Sequence, residues 1–523
     1  MTPLPRTAWI PVLLACLLAG CQQPRPHAPT PAAKAGAGGK PATNDSLRFL
    51  VSFPDSVRSQ AVSGRVLLFL GRSATPEPRS AGTLSLTPPP VFAIDVTNLP
   101  PGSQVAFAPD RFRAPDALAF PTRLDRLEPG TYFAQAVLDL DRTARDFNQG
   151  PGNLHSKPVR CDLAGGRGGT VELRADQVVQ TRAPKDTESV KLVEIRSRRL
   201  SEFHRRDIQL RAGVVLPAGF ATNTTQRYPA VYVVPGFGGR HTSAWGTREG
   251  KLVPHLRVVL DPDTPLGHSV FANSANNGPV GDALVHELIP EIERRFRGLS
   301  DPAARLVTGH SSGGWGSLWL QVAYPDVFGG CWSTAPDPVD FRSFQTVNIY
   351  EDLNGLWTRE GQPRPVARTR EKVLMTFQQL HHYEHVVGYG GQLDSFDAVF
   401  SPRGLDGRPR PLIHKLTGDI DRAVAEHWKQ YDIRLILERD WATLGPKLKG
   451  KIHVLAGGWD TFYLDGAAVR LRDFLRTTDY GGYVELLPGD HGSFLTEPVR
   501  ARIEREMNER LKAAAAARAP ATR

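Results

Sequence analysis

The chain has 523 residues, 40% hydrophobic and 23% charged, with a formal net charge of +10. That length exceeds one ordinary domain, and the balance is that of a folded globular chain, which excludes disordered and fibrous classes. The basic residues are spread along the chain with no basic stretch interleaved with aromatics, so no nucleic-acid partner is expected. Past the N-terminus no apolar run is long enough to cross a bilayer.

In chain order, residues 1–21 come first. Arg6 precedes a short apolar run, Ala8 to Leu18, and then Leu18-Ala19-Gly20-Cys21. This resembles a bacterial lipoprotein signal, in which the small residues fit a signal-peptidase cleft and the cysteine is lipidated. The resemblance implies an exported protein held in the cell envelope by a lipid on Cys21. Gln22 after the cysteine, with no Asp there, implies outer-membrane retention. Residues 22–45 are rich in Pro, Ala, Gly and Lys and bury too little apolar surface to fold, so they read as a tether. Cys16 falls in the signal, which leaves Cys161 and Cys331 for the folded part. They lie in different expected domains, so they are expected to stay unpaired. Their spacing offers no metal site.

Residues 46–187 show short alternating apolar runs split by Pro and Gly, among them Leu47 to Phe53, Arg65 to Phe69, Val91 to Val96 and Thr131 to Leu138. That pattern predicts an all-β, sandwich-like domain. Asp139, Asp141 and Asp146 miss the spacing of a calcium loop and read as turn residues. Residues 188–511 alternate between strands and helices, which predicts a mostly parallel sheet with helices on both faces. The strand candidates are Ser189 to Ile195, Ile208 to Val215, Ala230 to Val234, Leu256 to Leu260, Arg305 to Thr308, Lys451 to Leu455 and Tyr483 to Leu487. Leu284, Leu288, Ile292 and Phe296 mark one helix from Pro279 to Phe296. Residues 337–450 fall between two core strands and are expected to form a lid or cap. Within them His381 and His385 stand four apart, without the HExxH pattern, and read as a lid helix facing the cleft. The tail, residues 512–523, is expected to fray.

The chemistry centres on Gly309-His310-Ser311-Ser312-Gly313. It follows a strand and opens a helix, so the turn is sharp and strained at its middle residue. Small residues two positions either side relieve the clash, and the Ser311 hydroxyl is left exposed at the positive end of the helix. At this point residues 188–511 resemble the putative-esterase (esterase D-like) family of α/β hydrolases. The resemblance rests on this elbow with Tyr324-Pro325-Asp326-Val327-Phe328 behind it, on Pro235-Gly236-Phe237-Gly238-Gly239, on Glu287-Leu288-Ile289-Pro290-Glu291-Ile292, and on the late Asp and His. It implies an α/β-hydrolase fold with a long cap insertion, behind an all-β domain, and cleavage of small esters, sugar- or aryl-linked.

In this fold the triad runs Ser, acid, His. His491 follows the last strand and is the expected base, because a side chain titrating near neutrality can take the serine proton and return it. Asp460 follows the strand before and is the expected acid; Asp465 is the alternative. Asp490 reads as a loop residue. The oxyanion donors are expected at the Ser312 N–H and at Phe237, with Gly238 as the alternative. Gly236, Gly238 and His310 are expected to line the substrate cleft. His268, Asn273, Ser274 and Asn276 follow a strand end and bind substrate or merely shape turns. Trp315, Trp319 and Trp332 read as core. No metal and no cofactor is expected. The sequence leaves open acyl transfer to an alcohol in place of water, and a non-catalytic envelope-binding lipoprotein.

Overall fold

The computed structural model describes residues 46–81, 86–113, 117–141, 143–164, 167–180, 183–247, 252–388 and 390–516. Cys21 and the tether 22–45 lie outside the described residues. Two compact units are present: residues 1–181 with 382–388, and residues 182–381 with 389–523. The division falls a few residues before the boundary expected at 187/188, and it assigns a piece of the insertion to the β unit.

In the β unit, strands Gln177–Val178, Leu154–His155, Gly130–Asp139, Val62–Gly71, Val91–Leu99 and Ala117–Phe120 lie side by side in that order. Strand Val159–Leu163 pairs with Gly130–Asp139, and every pairing in this sheet is antiparallel. Val105–Phe107, Arg48–Ser52 and Thr170–Arg174 make a smaller sheet. Leu68, Leu70, Phe92 and Ile94 point into a core shared with Phe49, Phe107 and Tyr132. The alternate residues Leu67, Phe69, Val91 and Ala93 are equally buried, against Tyr383, Val386 and Val387. A strand covered on both faces loses the polar half of its alternation, which explains the unbroken Val66-Leu67-Leu68-Phe69-Leu70 run. It also corrects the expectation for the histidine run: the second half of that helix is a β-unit core element and does not face a cleft. Asp141 and Asp146 accept backbone N–H groups two residues on, as turn aspartates do.

The second unit is built on eight strands: β1 Val190–Arg196, β2 Gln209–Val215, β3 Ala230–Val234, β4 Leu256–Leu260, β5 Arg305–His310, β6 Gly330–Thr334, β7 Ile452–Gly457 and β8 Tyr483–Leu487. Their order is β1-β2-β4-β3-β5-β6-β7-β8. β2 runs antiparallel to β1 and β4, and the rest are parallel. This is the sheet the resemblance implies. β6, buried along its whole length, is the strand that the sequence patterns did not single out.

Helix α1 (Ser312–Ala323) follows β5. The insertion carries α2 (Phe377–Val387) and α3 (Gln392–Phe400). Helix α4 (Asp465–Leu475) follows β7, and α5 (Glu497–Ala516) closes the chain. α5 continues through the first residues expected to fray, because Leu511 and Ala514 are buried on the unit. The helix expected from Pro279 to Phe296 is broken by a π-turn at Leu284–Leu288. Among the described residues no helix is long and apolar enough to cross a membrane. Cys161 and Cys331 are free, buried thiols.

Candidate active site

Ser311 sits between β5 and α1 with φ 60° and ψ −126°, a conformation that only an over-determined turn sustains. The flanking glycines show what determines it. A Cβ on Gly309 would lie 2.0 Å from the Gly313 carbonyl oxygen, and one on Gly313 would lie 2.0 Å from that of Val234. The first turn of α1 therefore rests directly on the ends of β3 and β5, and no larger residue fits. The Ser311 N–H donates to Thr334 O on β6 at 3.0 Å. Ser312 is the first helical residue, so its N–H has no acceptor within the helix.

His491 and Asp460 meet at the far end of β7 and β8. His491 Nδ1 lies 2.7 Å from Asp460 Oδ2, and Asp460 is fully buried. A carboxylate only accepts, so Nδ1 carries the hydrogen and Nε2 keeps its lone pair. The second Asp460 oxygen accepts the Phe462 N–H at 2.8 Å, which fixes the carboxylate plane. Burial pushes the His491 imidazole down, but the charge of Asp460 and its hydrogen bond, with Asp337 and Asp490 behind them, carry it above the ordinary histidine value. Asp465 is drawn elsewhere, to Arg368 at 2.7 Å. Asp490 accepts N–H groups from Gly492 and Ser493 in its own loop.

His310, directly before the serine, packs against His491 with ring centroids 4.6 Å apart and the rings tilted by 47°. Burial and the neighbouring His491 charge hold it well below the usual histidine range, so it stays neutral. The Thr334 hydroxyl donates to Gly309 O, so His310 Nδ1 donates to Thr334 Oγ1 at 3.1 Å. The elbow, the base and the end of β6 thus form one packed group.

The glycine loop after β3 faces the same place. A Cβ on Gly236 would be 3.6 Å from Ser311 Cβ and 3.0 Å from His310 O. Gly238 has φ 85°, and the Gly239 N–H closes the turn onto Gly236 O at 2.9 Å. Phe237, between them, is buried. His268 holds this loop from behind. Val270 N–H donates to its Nδ1 at 3.1 Å, so Nε2 carries the hydrogen and donates to Pro235 O at 2.9 Å.

The remaining polar residues after β4 build structure. Asn273 bonds Tyr324 and the Asp282 N–H, while Ser274 and Asn276 hold carbonyls at the end of α3. Trp315 and Trp332 are core, and Trp319 is half-buried against Trp315. His381 is buried and held down to about 3 by that burial and by Lys415. Among the described residues no group of three or more His, Cys, Asp or Glu could hold a metal ion.

Two residues stand at the elbow without any signal in the sequence. Asp337, after β6, accepts the Ser312 hydroxyl at 2.6 Å. Gln392, the first residue of α3, donates to Ser312 Oγ and to Asp337 Oδ2, each at 3.2 Å. Neither sits in a recognisable motif. Only the strand order could have found Asp337, since β6 ends beside β5.

Residues 205–392 match the model of a family described as putative esterase. The matched span holds the glycine loop, the elbow, Asp337 and Gln392, and stops before Asp460 and His491. No curated protein matches the sequence. Among solved structures, a ferulic acid esterase is 13% identical, with 62% of this chain and 98% of that one covered and a TM-score of 0.38. An S-formylglutathione hydrolase from Agrobacterium tumefaciens is 14% identical, with 62% and 95% covered and a TM-score of 0.36. Brefeldin A esterase, described as a bacterial homologue of human hormone sensitive lipase, is 13% identical, with 65% and 81% covered and a TM-score of 0.34. Likenesses so distant carry no argument about the chemistry, which rests on the geometry above.

Proposed function

We propose, from the match of residues 205–392 to the putative esterase family model, that the second unit is the catalytic one and hydrolyses carboxylic esters through an acyl-enzyme on Ser311. The observation that carries this reading is the buried Asp460–His491 pair, packed through His310 against the strained serine turn. His491 Nε2 takes the Ser311 proton as Oγ attacks the acyl carbonyl, and gives it to the leaving alcohol. Asp460 keeps the imidazole in the needed tautomer and stabilises the imidazolium. The N–H groups of Ser312 and Phe237 receive the carbonyl oxygen as it gains charge; losing one such donor costs on the order of 3 kcal/mol in the transition state. Water, activated by the same histidine, then releases the acid.

Aromatic residues flank the base and the acid in space or in sequence. Phe462 stands edge-on to His491 with centroids 4.9 Å apart, and Trp459 adjoins Asp460. Such rings favour an apolar or aryl group on a small ester over a highly polar one. The N-terminal segment supports a place in the cell envelope, on a lipid at Cys21. A Cys21→Ala variant should move the activity from the membrane to the soluble fraction of an expressing bacterium; unchanged fractionation would remove the anchor.

Labelling with a fluorophosphonate tests the core of the proposal. The wild-type chain should label at one site and Ser311→Ala should not. A Ser311→Ala chain that labels fully would falsify the assignment.

A further inference from the structure

Asp337 is a buried carboxylate that the triad does not use. It touches the elbow twice: its N–H donates to the Ser311 carbonyl at 3.3 Å, and its Oδ2 accepts the Ser312 hydroxyl at 2.6 Å. The backbone leading to it is forced into place. Ala335 has φ 40° and donates its N–H to Leu455 O on β7 at 2.7 Å, and Pro336 Cα would lie 3.0 Å from a Cβ on Gly314 in the first turn of α1. The insertion then closes the arrangement with Gln392, whose amide donates to both Ser312 Oγ and Asp337 Oδ2. Desolvating a carboxylate is costly, and replacing buried ionic groups by well-packed apolar residues is often neutral or stabilising, so stability alone is a weak reason for keeping this one.

We propose that Asp337 is a positioning residue for the reaction. It pins Ser312, whose N–H is the oxyanion donor, and it adds negative charge on the side of the site where the His491 imidazolium forms. Gln392, from the insertion, clamps the pair. This rests on the esterase reading above. The charge would oppose the oxyanion if it faced it bare, but two donors saturate the Oδ2 atom that faces Ser312. Burial pushes the Asp337 carboxyl up to about 6, against the pull of Ser312, His491 and Gln392, so it is mostly ionised at neutral pH. The charged groups around His491 are Asp460 after β7, Asp337 after β6 and Asp490 in its own loop. His310 from β5 packs against it and stays neutral, and Arg500 of α5 acts on His310.

The test is hydrolysis of p-nitrophenyl acetate by the full chain as a function of pH. Asp337→Asn keeps the shape and removes the charge. Its kcat should fall on the order of tenfold with KM little changed. Its acid limb in kcat/KM should move about half a pH unit toward acid, because His491 loses a negative neighbour. A residue that merely packs would leave that limb where it is. Ser312→Ala, which keeps the N–H and loses the anchored hydroxyl, should also lose on the order of tenfold in kcat without moving the limb. An active wild type with Asp337→Asn unchanged in kcat and in its acid limb overturns the role. If Asp337→Asn does not fold, Ser312→Ala and Gln392→Ala decide: wild-type kcat in both overturns it. A wild type that neither labels with fluorophosphonate nor turns over any ester sinks the esterase reading itself, and is told apart on that ground.

Discussion

The carboxyl edge of the catalytic sheet and the insertion between β6 and β7 solve different problems. At the edge, backbone does the positioning: glycines at 309 and 313 admit carbonyls at 2.0 Å from where a side chain would begin, and the serine is strained. In the insertion, side chains do it. Phe400 alone packs its ring within 5.0–5.3 Å of those of Trp315, Phe341, Trp428 and Tyr431. Arg364 braces the loops with donors to Asn354, Trp357 and Thr346 carbonyls and a 2.9 Å ion pair to Asp352. Through Trp315 and Trp319 this aromatic mass sits on α1 itself. The insertion, expected as a lid or cap, is a packed buttress of the elbow helix. Chemistry is concentrated where the backbone is tight, and stability where the rings interlock.

Substitutions at the edge should abolish turnover and spare the melting temperature, and substitutions in the aromatic cluster of the insertion, away from Asp337 and Gln392, should do the reverse. The largest expected effect is Ser311→Ala, a loss of roughly a million-fold in kcat with little change in thermal unfolding. Asp460→Asn should cost roughly ten-thousand-fold, by leaving the imidazole in the wrong tautomer. Asp465→Asn is the control, because its partner is Arg368 and not His491; a comparable loss there would reassign the acid. On the other side, Phe400→Ala should destabilise the chain by about 3–5 kcal/mol, read by denaturant unfolding, with kcat nearly intact below the transition. If it instead left stability unchanged and erased activity, the contrast between the two regions would fail.

The smallest effect is in pH. General-base action needs neutral His491, and the surrounding carboxylates hold its proton on above the ordinary histidine value. Activity should therefore fall as pH drops through a midpoint above that value. The same limb in Asp460→Asn should move toward acid, since the first of those carboxylates is gone. A limb below the ordinary histidine value in the wild type would mean that burial outweighs Asp460.

The amino-acid sequence by itself determined the elbow, most strands of the catalytic sheet and the longest strands of the β unit. Glycine spacing and apolar periodicity encode backbone sterics and one-sided burial, and both are local. It also pointed to His491 and Asp460, each soon after a strand end, and the structure brings these two side chains within 2.7 Å. Tertiary structure alone decided the rest. Val66 to Leu70 is buried on two faces because residues 382–388 return to cover one of them, and β6 is hidden because Gly330-Cys331-Trp332-Ser333-Thr334 is neither an alternating nor an aliphatic run. Asp337 and Gln392 become part of the site only because β6 lies beside β5 and α3 begins there. Their partners stand 25 and 80 positions away, beyond the reach of any local pattern.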